Sequence, residues 1–366
     1  NSNTGRAYIY FGGALMNNTA DVIVTGEAVS NFFGISVASA GDMNSDGYSD
    51  VLIGASGNSS YTGRAYIYLG GASMNNSADI ILSGESANSN FGTSVSSAGD
   101  VNADGFSDLI IGATGYNSNT GRAYVYFGGM FIDNIPDVIM NGESVNNYFG
   151  CSVSSAEDIN GDGYSDIIAG AYGINSFTGK AYIYLGGEVM NSSADVILTG
   201  ESVLNYFGNS VSAAGDINGD GFSDVIAGAY GFNSNTGKAY IYFGSESMDT
   251  TADLSFTGES ANNYFGNSVR TCGDVNGDGY PEVIAGAHGY GSFTGRTYIY
   301  DYFMKNEIFP ELTLTGPSAG IVFGASVSSA GDVNGDGFPD IIAGAPAYSS
   351  NTGRAYIFFG GISMDN

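Results

Sequence analysis

The sequence predicts an all-β chain folded as a β-propeller of four-stranded blades, and three observations carry that prediction. First, the chain repeats itself: Asp42, Asp100, Asp158, Asp216, Asp274 and Asp332 open the same acidic loop every 58 residues, and Thr-Gly-Arg/Lys recurs in step from Thr4 to Thr352. Second, each period holds four short strand-like runs. Third, no stretch of useful length shows the apolar periodicity of a helix. Periods of this size with four strands apiece belong to propellers rather than solenoids or helical arrays.

Residues 33–85 show the elements in order. Phe33 to Ala40 alternates small and apolar residues, as an innermost strand, A, would. Asp50 to Ala55 is a continuous apolar run, a strand B buried on both faces. Arg64 to Leu69 sets Ala65 and Ile67 against Tyr66 and Tyr68, giving strand C. Ile80 to Ser83, closed by Gly84-Glu85, is a short outer strand D, and Gly, Asn and Ser punctuate every junction. The 366 residues make six periods of 58 plus 18, so there are six A, six B and six D strands but seven C strands. One domain over residues 1–366 is expected, with six blades and seven left open. Closure is expected to pair the N-terminal D strand, about Asp21 to Val24, onto A, B and C of the last repeat. Residues 1–11 or the last C segment would then be spare.

Composition agrees. Glycine numbers 58 and Tyr plus Phe 48, with no Trp, a mixture of tight turns and strands. The net charge of −28 makes nucleic acid a poor partner. No apolar run approaches the ~18 residues of a membrane helix, so no membrane insertion is expected. No basic-then-apolar leader stands at Asn1, so any signal peptide would be removed or lie outside this sequence. Cys151 and Cys272 sit at different repeat offsets on inner strands two blades apart, and are expected to be free buried residues rather than a disulfide framework. Seven of the nine basic residues, Arg6, Arg64, Arg122, Lys180, Lys238, Arg296 and Arg354, share one repeat position. They are expected to pair with Glu27, Glu85, Glu143, Glu201 and Glu259 or with an acid of the loops.

Those loops hold 18 of the 37 acidic residues. The first reads Asp42-Met43-Asn44-Ser45-Asp46-Gly47-Tyr48-Ser49-Asp50. Side-chain oxygens at positions 1, 3, 5 and 9, with the carbonyl of position 7, can surround a hard cation, and glycine at position 6 supplies the turn with positive φ. The predicted ligand sets are Asp42, Asn44, Asp46, Tyr48 and Asp50; Asp100, Asn102, Asp104, Phe106 and Asp108; Asp158, Asn160, Asp162, Tyr164 and Asp166; Asp216, Asn218, Asp220, Phe222 and Asp224; Asp274, Asn276, Asp278, Tyr280 and Glu282; Asp332, Asn334, Asp336, Phe338 and Asp340. Five protein oxygens with room for water favour Ca2+, about six ions in all, over the smaller octahedron of Mg2+. Three carboxylates within ~4–5 Å would otherwise repel by several kcal/mol per pair at an effective dielectric of ~20. An EF-hand is excluded, because Ile53, Ile111 and Ala169 stand where its Glu at position 12 belongs and strands flank the loop. Dockerin-like duplications use a much shorter spacing.

Phe33-Gly34, the acidic loop and then Gly344-Ala345-Pro346 in the last copy resemble the FG-GAP repeat of integrin α-subunit propellers. Earlier copies keep Gly-Ala but follow it with Ser56, Thr114, Tyr172, Tyr230 or His288. The resemblance covers essentially the whole chain. It implies a propeller with calcium between strands A and B on one face and ligands on the opposite face, formed by the B–C and D–A loops. Similar repeats occur in fungal and bacterial lectins and in bacterial surface proteins. The chain departs from integrins in having no inserted domain or lengthened loop, and in holding six complete repeats where that family usually has seven.

No serine–histidine–acid set recurs, and His288, the single histidine, occupies the Pro346 position as a packing substitution. The chain is therefore expected not to be an enzyme. Aromatic residues of the ligand face, Tyr116, Tyr148, Tyr206, Phe232, Tyr264 and Tyr290, are candidate ligand contacts beside the amides of Asn147, Asn205 and Asn263. Blade-to-blade packing is the other reading of the same rings, and both stay open. The functional expectation is a secreted or cell-surface binding, adhesion or scaffolding module taking a protein or glycan ligand, the alternative being a lectin with repeated sugar sites. Phe303, Met304, Ile308 and Phe309 are expected to form an apolar outer-rim patch that contacts a flanking domain or another subunit.

Overall fold

A computed structural model describes residues 3–14, 16–302 and 310–362. Phe303, Met304, Ile308 and Phe309 of the expected rim patch lie outside the described residues.

Strand alternation and turn chemistry produce the expected sheet. In the first repeat, strand A (Phe33–Gly41), B (Asp50–Ala55), C (Arg64–Tyr68) and D (Ile80–Ser83) pair antiparallel in chain order. Four further sheets repeat this order, with B strands at Asp108–Ala113, Asp166–Ala171, Asp224–Ala229 and Glu282–Ala287. These B strands are buried along their whole length, as their unbroken apolar runs predict. Strand A ends in a register shift in every repeat, between Ser39 and Gly41 in the first. Such a bulge bends the strand, and here it turns the chain into the acidic loop.

Sheets stack face to face around a ring. The core is a series of clusters between neighbours: Leu52, Ile67 and Leu82 of the first repeat pack with Phe91, Val95 and Tyr124 of the second. Within each repeat the Phe that opens strand A meets the first Tyr of strand C edge to face, at 5.3 Å for both Phe33–Tyr66 and Phe91–Tyr124, an arrangement aromatic quadrupoles favour. The repeated basic residue also links blades, as expected. Arg64, Arg122, Lys180, Lys238 and Arg296 pair with Glu27, Glu85, Glu143, Glu201 and Glu259 at 2.6–2.9 Å. Cys151 and Cys272 are free; Cys272 is fully buried and Cys151 partly so.

Closure differs from the expectation. Val22–Thr25 pairs with Arg6–Ile9, in the register Arg6↔Thr25 to Ile9↔Val22, and not with the last repeat. The last sheet has three strands, Val327–Gly331, Asp340–Ala345 and Arg354–Phe358. Neither end C segment is spare, since both are strands. A D strand and its own C strand are joined by a short loop, whereas pairing across the ring would close more than 300 residues, and closure entropy favours the local partner. The two-stranded sheet nevertheless follows the sixth repeat in the ring. The N–H of Gly13 donates to the carbonyl of Val333 at 2.7 Å, as Gly129 does to Met43 and Gly187 to Val101 between consecutive blades.

Candidate metal centres and the opposite face

Each acidic loop is built by its own aspartates. In the third, Asp158 accepts from the N–H groups of Gly161, Asp162 and Gly163 at 2.7–3.1 Å. Asn160 Oδ1 accepts from Asp162 N–H, and Asp162 Oδ1 from Tyr164 N–H, both at 3.0 Å. These consecutive side-chain-to-backbone bonds coil the loop so that its oxygens converge. Gly163 has φ +90°, and a Cβ there would meet nothing within 4 Å, so the requirement is for conformation rather than space. The position-9 residue closes the loop from strand B: Asp166 accepts from Ile159 N–H at 2.9 Å and from Gly186 N–H at 2.8 Å.

That closing carboxylate is in an unfavourable place for a charge. Burial pushes Asp108, Asp166 and Asp224 up to about 7, with the neighbouring loop acids adding to the shift against the backbone N–H groups that oppose it. Glu282 is pushed to about 8 by the same burial. A hard divalent cation would remove both penalties at once, by supplying positive charge and by taking the remaining lone pairs. The oxygen-only donor set fits such an ion and is unsuited to softer metals. In the fifth repeat the longer Glu282 brings carboxylate oxygens of Asp274, Asp278 and Glu282 within 4.8 Å of one another; Glu282, Asp301 and Glu311 form a second such trio.

The loops also hold the ring together. The carbonyl of Asp42 accepts from Ser107 N–H of the next blade at 3.1 Å, while that of Met43 accepts from Gly129 N–H at 2.8 Å. Asp100 and Asp158 repeat the first contact with Ser165 and Ser223. A loop that loses its shape therefore loosens two blades.

The B–C and D–A loops lie together on the other face, linked for example by Asn88 N–H to the carbonyl of Ser60 and Asn90 N–H to that of Tyr61. Here Tyr148, Tyr206 and Tyr264 join rings that sequence reasoning had not assigned to this face. Tyr148 stacks on Tyr172 at 4.9 Å, Tyr206 on Tyr230 at 4.8 Å and Tyr264 on His288 at 5.0 Å, with Tyr172–Tyr206 and Tyr230–Tyr264 bridging at 6.1 and 6.2 Å. The result is a continuous arc of half-buried rings over three blades. Its signal was present in the variable residue after Gly-Ala, which is aromatic in those three repeats alone. Tyr116, Phe232 and Tyr290 stand apart from the arc, with Arg122, Lys238 and Arg296 over their rings at 3.7, 5.0 and 3.7 Å. The amides of Asn147, Asn205 and Asn263 are buried: Asn147 Nδ2 donates to the hydroxyl and carbonyl of Ser144 while its Oδ1 accepts from Ser144 N–H, and the Oδ1 atoms of Asn205 and Asn263 lie beside the hydroxyls of Ser202 and Ser260. Exposed amides come instead from Asn146 and Asn262, contacted by Asn119 and Asn235. Between repeats one and two a cleft of about 650 Å³ is lined by Tyr61, Asn88, Asn90, Asn117 and Asn119 among others.

A sequence model of the FG-GAP repeat matches residues 33–68, 91–126, 149–184, 207–242, 265–300 and 323–358. Integrin alpha-PS5 of Drosophila melanogaster is 32% identical over 181 residues, 46% of this chain and 18% of its own length. Integrin alpha-5 of Xenopus laevis is 34% identical over 164 residues, 40% of this chain and 15% of its own. The chain thus spans less than a fifth of the length of these relatives. Among solved structures, a fucose-specific lectin from Aleuria aurantia superimposes with a TM-score of 0.48 at 9% identity, covering 88% of this chain and 91% of the lectin.

Proposed function

Because this chain belongs to the FG-GAP repeat family, we propose that it is a secreted or cell-surface binding module of the adhesion type, stabilised by calcium in its six acidic loops and presenting the opposite face to a protein or glycan. The observation that carries this reading is the aromatic arc from Tyr148 to His288. Half-buried rings held by stacking give a large, rigid contact surface at little conformational cost, which recognition surfaces exploit. The cation loops occupy the other end of the strands, so binding and metal stabilisation do not compete for space. In each loop calcium would be held by the four side chains and the carbonyl named above, where it neutralises clustered charge. The chemistry required is recognition, and no reacting group is assigned.

A second reading, a lectin with several shallow sites, is favoured by the cleft beside Tyr61, where an aromatic ring stands among amides suited to sugar hydroxyls. The test is a glycan array and a panel of extracellular proteins probed in calcium, followed by calorimetry on any hit. Tyr206→Ala should abolish protein or glycan binding at the arc while leaving the fold intact. Binding that survives loss of Tyr148, Tyr206 and Tyr264 together would overturn the assignment of this face.

A further inference from the structure

Ahead of its terminal bulge, strand A carries no charged side chain in any repeat but the fifth. Ala38, Ser96, Ser154, Ser212 and Ser328 occupy the position at which the fifth repeat has Arg270. Arg270 Nη1 donates to the carbonyl of Val211, in the preceding blade, at 2.5 Å. That carbonyl lies on the free inner edge of its strand. Val211 N–H donates to Ser152 Oγ, one blade further back, at 3.0 Å. In an antiparallel ladder the N–H and C=O of one residue turn the same way, so both groups of Val211 point away from strand B. The guanidinium is therefore on the axial side of the sheets, and it spans the innermost strands of repeats four and five.

The rest of that wall uses its polar groups between strands. Ser94, Ser210 and Ser268 accept on Oγ from the N–H groups of Val153, Val269 and Val327 at 3.0–3.1 Å. The amides of Asn209 and Asn267 donate to the carbonyls of Asn267 and Ala325 at 3.3 Å. Arg270 differs. A guanidinium has five N–H donors, and among the described residues the Val211 carbonyl is the one acceptor it meets. Arg64, Arg122, Lys180, Lys238 and Arg296 pair with glutamates, but Arg270 stands in no ion pair among the described residues. Asp216 and Asp274, which follow the two strands it spans, are turned into their own loops. They accept there from Gly219, Asp220 and Gly221, and from Gly277, Asp278 and Gly279, at 2.6–3.0 Å. Burial lowers the guanidinium's pKa, yet an arginine stays charged at any working pH. A half-buried charge without a partner carries a desolvation cost that a bound anion offsets. We propose that Arg270 anchors an anion site on the axis of the ring, which takes a small oxyanion of the carboxylate or sulfate kind. Two oxygens of such an ion match the guanidinium fork. Ser154 and Ser212, at the same repeat position on the two preceding strands, put hydroxyls on the same wall.

The test measures the melting temperature of the 366-residue chain at fixed calcium in sodium chloride, acetate or sulfate of equal ionic strength. A ligand held at about 100 times its dissociation constant raises the melting temperature of a chain this long by roughly 3–4 °C. Acetate, sulfate or both should give a saturable rise of that size over chloride. Sulfate also stabilises proteins in general, and that part should be equal in native chain and variants. Arg270→Ser restores the residue of four other repeats and should lose the saturable rise. Arg270→Gln keeps a donor for the Val211 carbonyl without the charge, and should lose the rise as well, which separates an anion site from a bond that only joins two blades. Calorimetric titration with each anion then tells which oxyanion the site prefers, and binding to Arg270→Gln should be weaker by at least about tenfold. An equal rise in native chain and Arg270→Ser, or full retention of the rise in Arg270→Gln, overturns the proposal. So does a native chain that responds to neither acetate nor sulfate beyond the response of its variants.

Discussion

Two positions that break the repeat show how tightly each residue is specified. Glu157 stands where the other copies carry glycine, at φ +59°, its carboxylate accepting from Ser223 Oγ of the next blade at 3.0 Å. A left-handed non-glycine residue costs about 1–2 kcal/mol, and the exposed hydrogen bond returns only part of that. Glu157→Gly should therefore raise stability by about 0.5–1 kcal/mol in denaturant titration with unchanged slope. His288 replaces the Tyr found at 172 and 230 and stacks on Tyr264. Burial holds its imidazole below the usual value. Its contribution is thus complete above the unfolded pKa of about 6.5 and is lost as pH falls toward and through the lower folded value. His288→Tyr should remove that acid-sensitive component, narrowing the difference between melting temperatures measured at about pH 7.5 and pH 5. An unchanged pH difference would place the acid sensitivity elsewhere.

At the scale of the strand and its neighbour, ion pairs and rings are coupled. Arg122 reaches Glu85 of the preceding repeat at 2.9 Å, donates from Nε to Asn141 at 2.7 Å and lies 3.7 Å above the Tyr116 ring. Glu85 is 43% exposed, so water screens the ion pair and its coupling energy should be below about 1 kcal/mol in a double-mutant cycle. Arg122→Ala should cost more than Glu85→Ala because it also strips the ring contact and the bond to Asn141. Equal costs would mean that the charge alone matters. This linkage was legible from the repeat position of the basic residue, as were the four strands, the acidic loops and the Gly at position 6. The aromatic arc was half legible. Its D–A rings stood out, but the stacking partners Tyr172 and Tyr230 looked like variants of a Gly-Ala-Pro turn, and only three dimensions bring them beside the next blade. Asn147, Asn205 and Asn263 misled because an amide beside an aromatic reads the same whether it faces solvent or closes a turn. The closing strands misled too: a repeat count fixes how many C and D strands exist, not which partners they find.

For the molecule as a whole, charge and architecture pull against each other. The chain carries −28, with the acids of each loop gathered at one end of its blade, and self-repulsion of that size opposes the compact ring. Backbone bonds from the carbonyls of Asp42 and Met43 to Ser107 and Gly129 pass the strain of one loop to its neighbour. Loss of cations should therefore act on blade packing rather than on isolated turns. If calcium binds the folded loops and is held at about 100 times its dissociation constant, each site contributes about 2.7 kcal/mol. With an unfolding entropy of about 2.1 cal/mol/K per residue, 366 residues shift by ~1.3 °C per kcal/mol, so three such sites already account for a fall of about 10 °C. Excess chelator should lower the melting temperature by at least that amount, and added calcium should restore it. Sodium chloride near 1 M shortens the screening length to about 3 Å and should recover only the part due to diffuse repulsion, because it cannot replace oxygen coordination. Asp162→Asn should reduce the calcium stoichiometry by one and lower the melting temperature by a fraction of the chelator effect. A melting curve unmoved by chelator, or fully rescued by salt alone, would show that the loops are acidic turns and that the ring closes without bound cations.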